Sequence, residues 1–372
     1  MPKYKFTEIA INSTEKKKPT EADKATYIGL EHLDSGTLTV SRWGSDVAPI
    51  GEKLIMKKGD ILFGKRRAYQ KKVGIAPFDG IFSAHGMVLR PREEVITKEY
   101  FPLFISSDYF LDEAIRISVG SLSPTVNWKD LKELEFNIPT IEEQKRITPL
   151  VWAAIEAKNA YKTLISEVDN LVKSQFIDMF DKEEKWCRLD ELCAFFGDGD
   201  WIEAKDQSPE GIRLIQTGNV GEGEYKDKGD KARFISEETF ARLSCTEVFP
   251  GDILISRLPD PIGRACIVPE MPKSITAVDC TIVRLNENLL PQFFVDFTKT
   301  PAYTQQIDSF TTGSTRKRVS RANLGSIRVP VPEMERQKIF VTISQQSDKS
   351  KFELQQAIQK VDNLIKSLIS QD

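Results

Sequence analysis

Through the middle of the chain, apolar and small residues recur at Leu150, Ala154, Ala157, Tyr161, Leu164, Val168 and Leu171, in alternating steps of 4 and 3. A mean step of about 3.5 keeps these side chains on one face of an α-helix and marks the seam of a helix that packs against another helix. The spacing returns 193 positions later at Ile343, Ser347, Ser350, Leu354, Ala357, Val361 and Leu364, more polar but unbroken. Thr140-Ile141-Glu142-Glu143, directly after Pro139, has the form of a capping box and predicts a helix start. A helix from about 141 to 178 would be about 55 Å long at roughly 1.5 Å per residue. Each seam is too narrow for burial on all sides. Each helix therefore needs a partner, and the matching seams point to an antiparallel pair with a non-helical unit at each end of a rod; the alternative is that each helix packs only on its own domain. Small residues at Ala154, Ala157, Ser347 and Ser350 would let two backbones approach closely.

The remainder of the pattern is short apolar runs, such as Ile61 to Phe63, Gly86 to Leu89, Ile253 to Ile255 and Thr281 to Leu285, separated by Gly-Asp and Pro turns. These predict strands in α/β material without fixing a topology. The runs are themselves repeated. VDNLVKSQF at 168–176 is answered by VDNLIKSLI at 361–369, with six identities in the first seven positions. At the same offset Gly120 falls on Gly313, Val126 on Val319, Leu131 on Leu324, Pro139 on Pro332, and Glu142, Gln144 and Lys145 on Glu335, Gln337 and Lys338. Gly59-Asp60-Ile61-Leu62 matches Gly251-Asp252-Ile253-Leu254 at an offset of 192. The chain reads as two diverged copies of one unit. The expected organisation is a globular domain over 1–138, a helical region over 139–180, a second globular domain over 181–330 and a second helical region over 331–372. The fold class is α+β, with two α/β domains separated by two long helices that pair as an antiparallel coiled coil.

Composition narrows the picture. At 372 residues each half can bury its own core. No apolar run reaches the roughly 18 residues of a membrane span, and the start MPKYKFTEIA has no secretory apolar region. No membrane role and a cytoplasmic location are expected. Five cysteines, odd in number, all in the second half and without a CxxC pair, argue against a disulfide framework or a structural zinc site.

The net charge of -3 is nearly neutral, so a nucleic-acid surface would have to be local. Two segments qualify. Between Ile61 and Phe78 the chain carries Lys65, Arg66, Arg67, Lys71 and Lys72 with no acidic residue, and between Ser309 and Pro332 it carries Arg316, Lys317, Arg318, Arg321 and Arg328, again with none. Lysine and arginine neutralise phosphates and release counterions, and arginine can also grip guanine with two hydrogen bonds. The plain alternative for each is a solvated basic face. The first segment follows its Gly-Asp-Ile-Leu, whereas the second follows its Gly-Ser, so the two are not copies in position. With neighbouring polar loop residues, the DNA-binding candidates are Lys65, Arg66, Arg67, Tyr69, Lys71, Lys72, Ser121, Gln216, Thr217, Asn219, Arg257, Arg264, Ser314, Arg316, Lys317 and Arg318. His32 occupies the place of Asn219 in the first copy.

Enzymatic readings find only fragments. Phe195-Phe196-Gly197-Asp198-Gly199 fits an amino-methyltransferase cofactor pattern, but no Asn/Asp-Pro-Pro-Tyr/Phe box accompanies it. Glu203-Ala204-Lys205, with Asp190, Asp198 or Asp200 upstream, imitates a metal-dependent nuclease core. The glycines at 218, 221 and 223 have the wrong spacing for a dinucleotide loop, and no Walker lysine sequence appears. A scaffold that never touches DNA is the third class.

In this layout, NIPTIEEQKRI at 137–147 and VPVPEMERQKI at 329–339, each a Pro-x-x-Glu-x-Gln-Lys entry into a long helix, resemble the specificity subunits of type I restriction-modification systems. GDILFGKRRAYQKKVGIAPFDG, GDGDWIEAKD and LIQTGNVGEGEY resemble recognition-domain segments of that family, and the resemblance spans the full length. It implies a non-catalytic, prokaryotic reader of double-stranded DNA. Each target-recognition domain would bind half of an asymmetric split site, with the helix pair setting the spacer. It further implies two modification subunits carrying the S-adenosylmethionine chemistry, and ATP-driven restriction subunits with magnesium. No metal, catalytic residue or cofactor is then expected on this chain.

Overall fold

The computed structural model describes residues 1–313 and 317–370. Two compact units divide them. The first is Met1–Lys162 with the end of the chain from Gln355, and the second is Thr163–Leu354. The chain is α+β throughout: two long helices, Ile141–Phe180 and Met334–Ser370, accompany short strands and short helices. Among the described residues no helix is long and apolar enough to cross a membrane.

In the first unit, the strands Ala10–Ser13, Met87–Pro91, Ile61–Phe63 and Val73–Ile75 lie side by side in that order, all antiparallel. A second sheet orders Lys16–Lys17, Lys53–Met56, Gly80–Phe82 and Tyr27–Ile28, the last pair parallel. The second unit repeats the first sheet strand for strand and rebuilds the second, its parallel pair now central rather than at the edge. Cys193–Asp198, Cys280–Leu285, Ile253–Ser256 and Ala265–Ile267 make one, and Arg233–Ile235, Ile212–Ile215, Ser274–Thr276 and Glu247–Val248 make the other, again with one parallel pair.

The repeated Gly-Asp-Ile-Leu supplies a strand buried on both faces. Ile61 and Phe63 enter one core while Leu62 enters another, and Ile253 and Ile255 part from Leu254 in the same way. Alternation of side chains across a strand is the cause. The glycine takes a positive φ, 89° at Gly59 and 88° at Gly251, which a side chain would resist. The following aspartate closes the turn, accepting from the Lys57 or Phe249 backbone N–H at 2.8 Å. It also receives a two-pronged arginine: Arg90 on Asp60 at 2.8 and 2.9 Å, and Arg284 on Asp252 at 2.8 and 2.8 Å.

The first long helix starts where its capping box predicts. Thr140 N–H donates to Glu143 Oε2 at 3.0 Å, and Glu143 N–H donates to Thr140 Oγ1 at 3.3 Å. One turn further in, fully buried Gln144 donates through Nε2 to Val95 O and Pro139 O and accepts at Oε1 from Thr97 N–H. Gln337 does the same with Asn288 O, Pro332 O and Leu290 N–H, each partner shifted by 193. The helix entry of each copy is thus fastened to its own globular part.

Helix pairing occurs inside each unit. In the first, Ile147 and Val151 share a core with Ile365, Leu368 and Ile369, and Lys158 forms an ion pair with Asp362. In the second, Phe176 and Phe180 stack around Phe340, and Lys351 pairs with Asp169 at 2.8 Å. Early residues of one helix meet late residues of the other, so both pairings are antiparallel.

The seam differs by half from the expected one. Ala154 is buried, and Tyr161, Val168, Leu354 and Val361 are half-buried, as are Ala157, Ile343, Ser347 and Ala357. Leu150, Leu164, Leu171 and Leu364 are 55, 43, 60 and 52 % exposed, and Ser350 is exposed too. The alternate positions are taken by their C-terminal neighbours: Val151, Lys158, Ile165 and Val172 in one helix, Ser344, Lys351, Ile358 and Ile365 in the other. Apolar residues occupy both registers, as in Leu150-Val151 and Leu171-Val172, so spacing alone did not choose. The buried register includes Lys158 and Lys351, which count against it in a hydrophobic pattern but are satisfied by Asp362 and Asp169. Val168 belongs to the second unit and Val361 to the first.

Candidate nucleic-acid interface

In each unit the loop after the Gly-Asp-Ile-Leu strand is tied to the loop that precedes the last short helix before the long one. In the first unit, Val126 N–H donates to Lys65 O at 2.9 Å, Arg67 N–H donates to Pro124 O at 2.7 Å, and Val119 and Thr125 close the second loop on itself. In the second, Val319 N–H donates to Arg257 O at 3.3 Å, and Thr312 and Arg318 close the loop. The two basic segments, which differ in place along the sequence, therefore belong to the same loop pair. One unit draws its cations from the first loop and the other from the second.

The first unit presents Arg66, Arg67 and Tyr69 on the surface, with Lys65 half-buried behind them and Ser121 exposed on the facing loop. Arg67 turns the chain with a φ of 55°. Burial, then the nearby Lys16, holds the Lys65 pKa below the ordinary lysine value. Lys71 and Lys72 are committed inside the protein. Lys71 bonds Asp108 at 2.6 Å and Asp112 at 2.7 Å, and Lys72 donates to Leu30 O at 2.7 Å. Burial works against the Lys71 ammonium, yet the two carboxylates outweigh it and raise its pKa.

In the second unit Lys317 and Arg318 are exposed; Ser314 and Arg316 lie outside the described residues. Arg318 stands 3.9 Å from Asp279, and Arg321 stands 3.9 Å from Asp198. Arg257 and Arg264 brace the fold. Arg257 is buried, donates to Val278 O and lies 3.5 Å from Asp198. Arg264 donates to the carbonyls of Val220, Leu258, Pro261 and Thr217 at 2.7–2.8 Å.

Asn219 is buried with both ends of its amide engaged: Oδ1 accepts from Gln216 N–H at 3.0 Å, and Nδ2 donates to Lys226 O at 2.8 Å. His32 performs the same brace in the first unit, Nδ1 accepting from Gly29 N–H at 2.9 Å. The side chains of Gln216 and Thr217, beside Asn219, are half-buried.

The enzyme-like fragments dissolve into structural parts. Gly199 passes so close to its neighbouring strand that a Cβ would sit 2.3 Å from Thr276 O, a packing reason for glycine without any cofactor. Glu203 bonds Lys205, Asp206 bonds Arg242, Asp190 bonds Arg188, and Asp200 accepts from Thr246 N–H. These carboxylates are distributed among separate partners.

Sequence reasoning passed over His85, Ser123 and Asp279. His85 and Asp279 occupy the same point of the two units, each two residues before the partner of an equivalent strand residue: Met87 pairs with Phe63, and Thr281 with Ile255. The drifting offset hid this correspondence. Burial, then Arg66, Lys65 and Lys53, depresses the His85 pKa.

Comparison with known proteins gives a family model described as the type I restriction modification DNA specificity domain, matching residues 5–156 and again 182–361. The type I restriction enzyme EcoDI specificity subunit of Escherichia coli is 25 % identical over 185 residues, 48 % of this chain and 41 % of that protein; the match thus spans less than half of that relative's length. The putative MjaX specificity subunit of Methanocaldococcus jannaschii is 21 % identical over 338 residues, 82 % of this chain and 77 % of that one. Among solved structures, a chain from work on complex assembly and conformational transition of the type I R-M system aligns over 99 % of this chain and 96 % of its own, with a TM-score of 0.59 and 19 % identity. The S subunit from M. genitalium aligns over 99 and 95 %, with a TM-score of 0.50 and 16 % identity.

Proposed function

The chain belongs to the type I restriction modification DNA specificity domain family, and from that premise we propose that it selects the DNA sequence on which a restriction-modification complex acts. It contributes specificity and no catalysis. Each unit reads one half of an asymmetric, split site on double-stranded DNA, and the paired helices set the number of base pairs between the halves. The observation that carries this reading is the loop pair built twice, with cationic side chains from different loops in the two units. Equivalent placement suits the same task, and different side chains suit different half-sites.

Arg66, Arg67, Lys65, Tyr69 and Ser121 are the contacts proposed for the first half-site, and Lys317 and Arg318, with Gln216 and Thr217 nearby in sequence to the braced Asn219, for the second. Ser314 and Arg316 complete the second segment. Two modification subunits with S-adenosylmethionine would dock on the helices, and restriction subunits using ATP and magnesium would join for cleavage, in the cytoplasm of a prokaryotic cell. Mapping methylated bases in cells with and without the gene tests the reading. One two-part motif with a fixed gap, present only with the gene, is the expected result. Methylation identical in both strains would defeat it.

A further inference from the structure

The first unit gathers cations around a neutral acceptor. Arg66 Nε and Arg67 Nε both donate to the single hydroxyl of Ser123, at 3.1 and 3.3 Å. Arg66 also reaches the His85 ring, 3.4 Å from its terminal nitrogen to Nε2, and its backbone N–H donates to His85 O at 3.2 Å. Among the described residues, Lys65, Arg66 and Arg67 form no ion pair. Arg90 and Arg284, by contrast, each grip a carboxylate, Asp60 and Asp252. At the point equivalent to His85, the second unit places Asp279, 3.9 Å from Arg318.

Two guanidinium groups sharing one uncharged oxygen are poorly compensated, because charge-assisted bonds to an anion are roughly twice as strong as neutral ones. The arrangement is set for an anion. The charged groups that act on His85 are Arg66 and Lys65, on the loop after Ile61–Phe63, and Lys53, on the strand Lys53–Met56; all are cations and all oppose its protonation. The neutral ring can accept from Arg66 at Nε2 if its proton sits on Nδ1. A phosphate between these groups reverses the local sign, since it neutralises the cations that depress the imidazole and offers an oxygen to a protonated ring.

We infer that Arg66, Arg67 and His85 form a phosphodiester site, and that His85 takes up a proton from solvent as a DNA phosphate enters it. This rests on the DNA-reading function proposed above. The sign follows from linkage: when a ligand raises a group's pKa, affinity grows as pH falls through the complex's pKa and levels off below the free protein's. Each unit of upward shift is worth about tenfold in affinity. The second unit has an aspartate, not an imidazole, at this point.

The test is binding of the full chain to a mixed-sequence duplex, followed by fluorescence anisotropy at constant ionic strength between pH 8 and pH 6, with calorimetry in two buffers of different ionisation enthalpy. Binding is expected to tighten about tenfold over that range with an average uptake of about half a proton, and H85Q should flatten both while salt dependence persists. Salt-dependent binding whose pH profile is the same in the unaltered chain and in H85Q would overturn the inference. Absence of duplex binding by the unaltered chain at every pH would instead count against the DNA-reading function. Should H85Q fold poorly, an NMR titration of His85 in the unaltered chain decides the matter: a pKa raised by duplex supports the site, and an unmoved one overturns it.

Discussion

At the scale of single residues, the repeat is a set of fastenings copied with their partners. Gln144 and Gln337 each satisfy two carbonyls and one N–H in a dry setting. Truncation to alanine strands all three backbone groups, and one unsatisfied buried group costs about 1–3 kcal/mol. We expect Gln144→Ala and Gln337→Ala each to lower unfolding free energy by about 2–4 kcal/mol, read from urea denaturation, with Lys145→Ala as a nearly silent control. The cap at Thr140 is a pH-dependent fastening. The Thr140 backbone N–H, then its hydroxyl, holds Glu143 below the ordinary glutamate value of 4.5. A depressed folded pKa means that this stabilisation is complete above the unfolded pKa and is lost as pH falls through the folded one. Thermal unfolding of Glu143→Gln should therefore show a smaller drop in midpoint on acidification than the unaltered protein. The doubled VDNL has its meaning at this scale too: its aspartates, Asp169 and Asp362, receive Lys351 and Lys158, which are themselves 193 positions apart.

At the scale of elements, the buried and exposed faces of the long helices make opposite predictions for residues little more than a turn apart. Phe176 is buried against Phe180, Phe293 and Phe340, whereas Leu171 is largely exposed. Phe176→Ala should cost about 3–5 kcal/mol, and Leu171→Ala about 0.5 kcal/mol or less. Comparable losses in urea denaturation for both variants would reject the register. Much of this level was legible in the sequence. The capping box placed the first helix, and the apolar runs placed four strands of the two principal sheets to within a residue or two. What escaped was any feature fixed by distant groups. Lys158 and Lys351 look like surface positions until their aspartates arrive, Asn219 looks like a loop reader until its amide is found enclosed, and Lys71 looks like a free cation until Asp108 and Asp112 take it. Charge counted along the chain located the basic loops. It could not separate cations aimed outward from cations spent on folding.

At the scale of the whole molecule, the proposed function makes the two helices a spacer whose length is separable from what each unit reads. Helix length can be altered without touching either loop pair, provided that the seam is kept in phase. Seven residues restore the heptad and lengthen a helix by about 10 Å at roughly 1.5 Å per residue. Inserted in both helices at the unit boundary, near Lys162 and near Leu354, they would add about three base pairs at the roughly 3.4 Å rise of each strand. The expected methylation motif keeps both half-sites and gains a gap longer by about three base pairs. A single insertion in one helix alone slides the seams past each other and exposes apolar positions to polar ones, so it should lower stability before it changes spacing. An in-phase double insertion that folds normally and methylates the original gap would remove the spacer role from the helices. The half-site sequences would then have to be positioned by the partner subunits, while the loop pairs kept their own readout.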